Sequence, residues 1–329
     1  MNSQVKHFLI ELLFDKKITF FPNTDNEQFW NTLVKISSFQ VIIPAVYFKL
    51  KERDFLKKIP SDLKDYLFEI YSFNEKRNQS MVNEINNIEK VLADNKINFC
   101  FLKGSYLLRT IFKNNIGIRM MHDIDILVKE DQIYLAKNII EKMNYKDRGF
   151  ENKILKDKHI PRLINNEKNI GLEIHYKLTK GKKYFFNNDD LFKNNLMNSF
   201  SINDNLNHII LNTEYNDNGA ILGRISLKSL FDFYHLNMIN NDFDFNNNNY
   251  TKIFLNKLHF LKIVNNTESR SNFYIAYLNL INTRIGKIIP FIIFYFLRFK
   301  LLIGQLKEFT INKHYRINVF KKIMIYFGK

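Results

Sequence analysis

The segment from Phe99 to Val128, FCFLKGSYLLRTIFKNNIGIRMMHDIDILV, constrains the fold of this chain more than any other. Its pattern predicts a strand, a glycine-serine turn into a helix, and a second strand that carries Asp123 and Asp125. Successive side chains of a strand point to opposite faces, so these two carboxylates point the same way. The opposite face of the strand is apolar: Ile124, Ile126 and Val128. Two parallel carboxylates in front of an apolar face indicate a site for a divalent cation.

A third acid is expected on a neighbouring strand, because Mg²⁺ takes oxygen ligands and is usually bound by carboxylates together with substrate phosphates. Two ions held in this way can stabilise both the attacking and the leaving oxygen of a displacement at phosphorus. Downstream, the arms His159–Ile164 and Ile170–Tyr176 around a polar turn predict a hairpin. Glu173 is an isolated acid in the second arm. We predict that it completes the site with Asp123 and Asp125, where it could orient or deprotonate an attacking hydroxyl.

The Gly104-Ser105 pair supplies a candidate phosphate site. Glycine lets the backbone approach a ligand closely, and the N-terminus of the following helix presents N–H groups to an anion. Three cations nearby could balance phosphate charge: Lys103, Arg109 and Arg119. Two histidines flank the acids: His122 and His175. They could hydrogen-bond to the metal-binding acids, but for both an ordinary hydrogen-bonded structural role is the favoured interpretation.

The chain has a Gly-Ser pair, then an Asp-x-Asp pair, then a lone acid on a later strand. In the order of these three features it resembles the polymerase-β-like nucleotidyltransferase superfamily. It is more closely similar to uncharacterised bacterial nucleotidyltransferase family proteins with an LKG…R-x-x-x-DIDLLV…ElHw pattern. That pattern is present here as Leu102-Lys103-Gly104, as Arg119 followed by HDIDILV at 122–128, and as Glu173-Ile174-His175-Tyr176. We expect the resemblance to cover most of the chain.

The resemblance and the element pattern together imply an α+β fold, with a small mixed or antiparallel sheet and flanking helices. The implied reaction is a metal-dependent transfer of a nucleoside monophosphate from an NTP to a hydroxyl acceptor, with release of pyrophosphate. By this resemblance Gly104 and Ser105 would hold the triphosphate. Mg²⁺ or Mn²⁺ would be bound by the three acids: Asp123, Asp125 and Glu173.

Two departures from the family pattern leave the ligand set intact. Seventeen residues separate Ser105 from Asp123, more than is usual in the superfamily, so the intervening loop could be shaped for a particular acceptor. Tyr176 stands where the family often has Trp. The sequence leaves the identity of the acceptor open, and the candidates are a sugar, a lipid-linked intermediate, a small metabolite, a protein or an RNA. The alternative functions are a catalytically silent protein that binds a nucleotide or a partner in the same cleft, and a peripheral membrane component.

Composition narrows the class of protein. The chain has 329 residues, of which 46% are hydrophobic and 15% aromatic, and these are values of globular proteins. Its net charge of +16 would suit nucleic acid, anionic lipid or nucleotide, but the abundance of Lys and Asn also matches an AT-rich coding bias. The single cysteine, Cys100, lies in an apolar run and is expected to be a buried, inert thiol. The N-terminal residues lack the apolar core of a signal peptide, so we expect a cytoplasmic protein.

Periodicity divides the chain into an N-terminal helical region (1–94), a core (95–178) and a C-terminal helical region (179–329). In the first region, Pro60-Ser61 predicts a helix start, and an i, i+4, i+7, i+11 stripe predicts a packing face: Met81, Ile85, Ile88 and Leu92. The remaining core elements are predicted as follows: strands over Ile97–Leu102 and near Tyr145, and helices over Ser105–Phe112 and Gln132–Met143. Two asparagine runs predict loops: 240–242 and 246–249.

The C-terminal region holds two further candidates. Arg224, Lys228 and Asp232 are four residues apart and are predicted on one helical face. That face either carries a Lys-Asp surface pair or lines the cleft, with Lys228 on the nucleotide. The apolar run Ile288–Leu297 is shorter than the about 20 residues that span a bilayer. We expect it to pack as a terminal helix, with contact of residues 285–329 with anionic lipid as the alternative.

Overall fold

The predicted α+β class is confirmed by the computed structural model, which has a five-stranded mixed sheet flanked by helices. The structure describes residues 2–147, 158–180, 192, 200–239, 248–263, 272–283, 286–311, 313, 316–317 and 319–320. One hydrophobic core runs through all three regions, from Val5 in the first helix to Ile263 in the C-terminal region.

Four helices precede the sheet: α1 (Asn2–Leu13), α2 (Glu27–Phe39), α3 (Ile43–Glu52) and α4 (Ser61–Asp94). Helix α4 begins directly after Pro60, as predicted, because proline is tolerated at a helix start and its fixed φ suits the entry. Its predicted stripe is fully buried: Met81, Ile85, Ile88 and Leu92. The same face of α4 continues towards its N-terminus with two buried asparagines, Asn74 and Asn78.

The sheet has the strands β1 (Phe99–Phe101), β2 (Asp123–Val128), β3 (Lys146–Asp147), β4 (Leu163–Asn165) and β5 (Ile170–His175), in the order β1-β2-β5-β4-β3. Strands β2 and β5 are parallel and central, whereas the other three pairs are antiparallel. Strand β2 has the predicted bounds. The first predicted hairpin arm is shorter than expected, because His159 makes only an isolated bridge to His175. The two helices of the core are also shorter than predicted: α5 (Lys103–Leu107) and α6 (Ile133–Glu141).

The pleat of the sheet separates an apolar face from the face that carries the acids. Alternate residues of β2 and β5 are fully buried against the core: Ile124, Ile126, Val128, Leu172 and Ile174. The acid-bearing face is apolar only at one end, where Leu127 packs with Cys100 and Leu102. Cys100 is buried, as predicted, and burial raises the pKa of its thiol to about 12, which disfavours the reactive thiolate.

Two buried asparagines of α4 hold the long segment between α5 and β2. Asn74 Nδ2 donates to the carbonyl oxygen of Gly117 at 2.7 Å, and Asn78 Nδ2 to that of Arg119 at 2.8 Å. A β-carbon at Gly117 would overlap the ring of Tyr71, so only glycine permits this close approach. The segment thus enters β2 from a fixed direction.

In the described part of the chain, these helices follow the sheet: α7 (Ile202–Leu211), α8 (Gly219–Leu222), α9 (Leu227–Asn237), α10 (Asn249–Phe260), α11 (Asn272–Asn282) and α12 (Ile288–Ile311). The prediction of one helical face for Arg224, Lys228 and Asp232 is wrong at Arg224, because α9 begins only at Leu227. The predicted loop at 246–249 is wrong at its end, because Asn248 caps α10 and Asn249 is its first residue. The run at 240–242 lies outside the described residues.

A buried ion pair joins α10 to a single π-helical turn at 212–216 that follows α7. Lys257 Nζ lies 2.6 Å from Glu214 Oε2, and both side chains are at most 1% exposed. The same ammonium group also donates to two backbone carbonyls, of Gly219 and Arg224. The pair fixes the turn whose Asn212 Oδ1 accepts from Lys158 Nζ at 3.1 Å, beside the acids.

Helix α12 corrects two expectations about the apolar run. The helix continues through Arg298 and Lys300 to Ile311, so that it has 24 residues and a mean hydropathy of 1.7 in its most apolar stretch. Among the described residues it is the one helix whose length and composition would allow it to cross a membrane. None of its described side chains is buried, although it contacts the α8 segment. The predicted terminal helix is present and contacts α8 and α11 of the C-terminal region, although it does not bury its described side chains there.

We expect Glu214→Gln to lower the free energy of unfolding by about 3 kcal/mol, because it leaves the buried Lys257 ammonium without its counter-charge. The measurement is urea unfolding followed by circular dichroism. Glu167→Gln is the matched control, because Glu167 is exposed in the β4–β5 turn, and it should change the value by less than about 0.5 kcal/mol. Equal effects of the two variants would contradict this role of the pair.

Candidate active site

The parallel pairing of β2 with β5 brings together acids that are 48 to 50 residues apart in the sequence. Asp123 is opposite Gly171, and Asp125 is opposite Glu173. Directly paired residues of parallel strands project to the same face, so all three carboxylates point to one side of the sheet. One oxygen of Asp125, one of Glu173 and a ring nitrogen of His175 all lie within 4.8 Å of one another. The cluster therefore includes a histidine that sequence reasoning had assigned to an ordinary structural role.

Lys103 reaches Asp125 through an unusual backbone conformation. By strand alternation Lys103 would share the face of Phe101, which is the apolar one. Its φ of 49° lies in the left-handed region, which non-glycine residues rarely adopt and which is frequent at functional sites. The turn redirects the side chain to the acid face, where Nζ lies 2.5 Å from Asp125 Oδ1.

Asp125 is buried and held in its charged form. Burial opposes ionisation, but the Lys103 ammonium and the hydrogen bond from His175 outweigh it, so the pKa of Asp125 lies well below its ordinary value. An ionised carboxylate only accepts, so His175 Nε2 is the donor to Asp125 Oδ1 at 2.9 Å. Both contacts fall on Oδ1. Oδ2 accepts no hydrogen bond from the described part of the chain.

The pKa values of the other two acids are shifted in opposite directions. Burial, and then the negative charges of Asp125 and Glu173, raise the pKa of Asp123. The hydrogen bond of His175 to Glu173 lowers the pKa of Glu173 against its burial. Like charges this close are costly unless cations neutralise them, so the arrangement is one that a bound cation would stabilise.

Gly104 and Ser105 pack against the segments that carry the acids and so support the site. A β-carbon at Gly104 would overlap the Arg119 guanidinium and the Met121 side chain, so the glycine is required for packing. The Ser105 hydroxyl is fully buried and accepts from the backbone N–H of Asp125 at 2.9 Å. In this structure the pair thus fixes the position of the acid strand.

Two lysines add positive charge near the acids. Burial and then the charge of Arg119 lower the pKa of Lys228 to about 8, while Asp125 acts in the opposite direction. Lys228 makes no hydrogen bond or ion pair within the described residues. Burial and then Lys103 likewise lower the pKa of Lys158 to about 8. Sequence reasoning predicted Lys228 and missed Lys158, which stands in a poorly patterned stretch before the hairpin.

Two arginines lie on the Asp123 side of the cluster. Arg162 Nε is 3.5 Å from Asp123 Oδ2. Its guanidinium fits there because Gly171, beside Asp123, has no β-carbon. Arg77 of α4 donates to the backbone oxygens of Met121 and His122. Both arginines were missed, since no local pattern links a residue of α4 to a strand 46 residues later.

Two predicted phosphate ligands have other roles. Arg109 NH2 lies 2.5 Å from Glu89 Oε2, and its guanidinium stacks over the Phe101 ring. Phe101 is paired with Ile126, so Arg109 is on the sheet face opposite the acids, and the sequence expectation for it is corrected.

Arg119 forms a bidentate pair with Asp232, with Nε to Oδ1 at 2.9 Å and NH2 to Oδ2 at 2.8 Å, and both side chains are buried. Its guanidinium is thus committed to a carboxylate. The predicted Lys228–Asp232 surface pair is accordingly replaced by a buried Arg119–Asp232 pair.

A comparison with protein families agrees with this geometry. A family described as uncharacterised nucleotidyltransferases matches residues 26–263, which include every residue of the cluster. The chain belongs to this family. No curated protein and no solved structure matches it. A nucleotidyltransferase assignment therefore stands on the family and on the site itself.

The donor set fits a hard divalent cation. Asp123, Asp125 and Glu173 offer carboxylate oxygens, which Mg²⁺ and Mn²⁺ prefer, and Asp125 Oδ2 is left without a protein donor among the described residues. Because His175 Nε2 is committed to these carboxylates as a donor, the ring orients the oxygens. This orientation by a neighbouring hydrogen bond is typical of residues that support a metal site.

We expect the Lys228 ammonium to titrate near pH 8, because its burial disfavours the charged form. The measurement is NMR of ¹³C-dimethylated lysines, with Lys228→Arg to assign the resonance. A bound polyanion favours the charged form, so tripolyphosphate should raise this pKa and take up protons above pH 8. A Lys228 resonance that does not shift when tripolyphosphate is added would contradict a role in anion binding.

Proposed function

We propose that this protein is a cytoplasmic, metal-dependent nucleotidyltransferase that transfers NMP from an NTP to a hydroxyl acceptor. The observation that carries the proposal is the convergence of Asp123, Asp125 and Glu173 on one sheet face, with lysine and arginine side chains around them. In the reaction, an acceptor oxygen bonds to the α-phosphorus and the bond to the bridging oxygen of the β-phosphate breaks. Pyrophosphate leaves with the electron pair, and the hydroxyl proton is released.

Mg²⁺ or Mn²⁺, held by Asp123, Asp125 and Glu173, would neutralise phosphate charge and align the attacking and leaving oxygens. The chain supplies the preorganised environment. His175 holds Asp125 and Glu173 in place, and the hydroxyl of Ser105 fixes the backbone of the acid strand.

Lys103 and Lys228 are the proposed triphosphate ligands. Lys103 already lies at the acids, and its pKa is raised because the Asp125 charge outweighs burial, so it stays positive at neutral pH. Lys228 has no partner in the described structure, and a nucleotide phosphate would supply one. Charge on the departing pyrophosphate would be stabilised by both ammonium groups.

Glu173 is proposed to orient the acceptor hydroxyl. The lowered pKa of its carboxyl makes it a weak base at neutral pH, so accepting a hydrogen bond suits it better than full deprotonation. Its place on β5, directly opposite Asp125, lets its carboxylate face a hydroxyl group that is bound beside the acids.

We expect Asp123→Asn and Asp125→Asn each to reduce transfer by at least about a hundredfold while the fold is kept, because each removes a charged metal ligand. The assay offers α-³²P-labelled NTPs and Mg²⁺ or Mn²⁺ with cell extract, and it follows label uptake and pyrophosphate release. Asp131→Asn is the matched control, because Asp131 is exposed just after β2.

Full metal-dependent turnover by Asp125→Asn would exclude the assignment. Nucleotide-dependent thermal stabilisation without pyrophosphate release would instead identify a catalytically silent nucleotide-binding protein.

We further propose that α12 attaches the protein to anionic lipid. Its outward side chains are large and apolar: Phe291, Ile292, Tyr295, Phe296, Phe299, Leu302, Ile303 and Leu306. A spanning orientation would place Arg298 and Lys300 near the bilayer centre, at a cost of about 2.5–3.5 kcal/mol each. A helix lying along the surface keeps both cations at the headgroups, so this orientation is the one proposed.

We expect the full chain to co-sediment with phosphatidylcholine vesicles that contain phosphatidylserine, and less so at high salt, because the attraction is partly electrostatic. Phe296→Ser combined with Phe299→Ser should weaken the co-sedimentation. Phe39→Ser is the control, because Phe39 is 84% exposed in α2, away from this helix. Binding that survives deletion of residues 285–329 would contradict the role of the tail.

A further inference from the structure

A cavity of about 430 Å³ opens beside Asp123 on the acid face of the sheet. Arg77 and Arg162 form its basic wall, Pro161 and Ile164 contribute apolar surface, and His122, Asp147 and Asn169 also line it. Gly171 forms part of the cavity and is directly opposite Asp123 in the sheet. The cavity is therefore continuous with the candidate active site, and it has the size of a small-molecule pocket.

The arginines are exposed enough to bind a ligand. The side chain of Arg162 is 43% exposed, and its Asp123 contact of 3.5 Å is longer than a normal hydrogen bond. Arg77 uses two of its nitrogens on the carbonyls of Met121 and His122, which fixes the direction of the guanidinium. Burial lowers the pKa of Arg77, Asp123 raises it, and Arg162 lowers it, so the two guanidinium groups are close enough to act on one anion together.

The in-line geometry of the displacement indicates which of the two reactants can bind in this cavity. The attacking and leaving oxygens are on opposite sides of the α-phosphorus. Lys103, one of the two proposed triphosphate ligands, lies on the Asp125 side of the cluster, and Arg77 and Arg162 lie on the Asp123 side. If Lys103 holds the departing pyrophosphate, as proposed above, the acceptor approaches from the arginine side.

We propose that this cavity is the acceptor site and that the acceptor is a small molecule carrying a carboxylate or phosphate besides its reactive hydroxyl. Guanidinium groups bind both anions through paired N–H donors, which also fixes the orientation of the ligand. The anion on Arg77 and Arg162 holds the hydroxyl towards Asp123 and Glu173. This inference rests on the proposed transferase activity and adds to it the class of acceptor.

The test divides the small-molecule pool of cells into anionic, neutral and cationic fractions on ion exchangers and keeps the macromolecules as a fourth fraction. Each fraction is incubated with the full chain, Mg²⁺ and the α-³²P-labelled NTPs, with Asp125→Asn as the blank. We expect label in products from the anionic small-molecule fraction. Label confined to neutral or cationic compounds, or to macromolecules, would overturn the inference and leave the transferase activity standing. No label in any fraction would reject the transferase activity, and this inference with it.

The same assay then tests the arginines with the labelled acceptor. Arg162→Gln should raise KM for the acceptor at least about tenfold, because a charge-assisted contact is lost, and leave KM for the NTP unchanged. Arg224→Gln is the matched control, since Arg224 is exposed and outside the cavity. An unchanged acceptor KM in Arg162→Gln, or an equal rise in both KM values, would overturn the assignment of the cavity.

Discussion

The structure depends above all on the parallel ladder between β2 and β5. This ladder alone puts Asp125 beside Glu173 and leaves Gly171 beside Asp123. Parallel strands cannot be joined by a tight turn, and here the connection contains α6, β3 and β4. A slip of one residue would move Glu173 to the apolar face, bury its charge in the core, and turn Leu172 and Ile174 to the acid face. The buried face therefore enforces the register on which the acid cluster depends.

Charge balance explains why the cluster is stable before any ligand binds. Lys103 and His175 both donate to Asp125, and Arg162 lies close to Asp123. Other cations nearby are committed to structure, as Arg109 is to Glu89. Lys228 differs, because it is charged, half-buried and without a partner in the described residues. A group of this kind costs stability in the empty protein and gains a partner when an anionic substrate arrives.

The sequence predicts this site well wherever the signal is periodic. Alternation on a strand was enough to orient Asp123 and Asp125 and to identify Glu173 as the isolated acid on a second strand. It could not show that His175 donates to Asp125, because that contact depends on the strand pairing. It also misassigned Arg109, since closeness in sequence does not reveal on which face of the sheet a helix residue lies. Arg77 and Arg162 join the site only through the packing of α4 against the lead-in to β2.

The buried Arg119–Asp232 pair connects the C-terminal region to the site. Asp232 and Lys228 are four residues apart on α9, so they share one face of that helix. Because the bidentate contact with Arg119 fixes the rotation of α9, it also directs Lys228 towards the acids. Gly104 contributes in the same way, since it leaves room for the guanidinium that forms the contact. Gly104 thus influences the position of Lys228 through the Arg119–Asp232 contact. The sequence pattern alone cannot show this link.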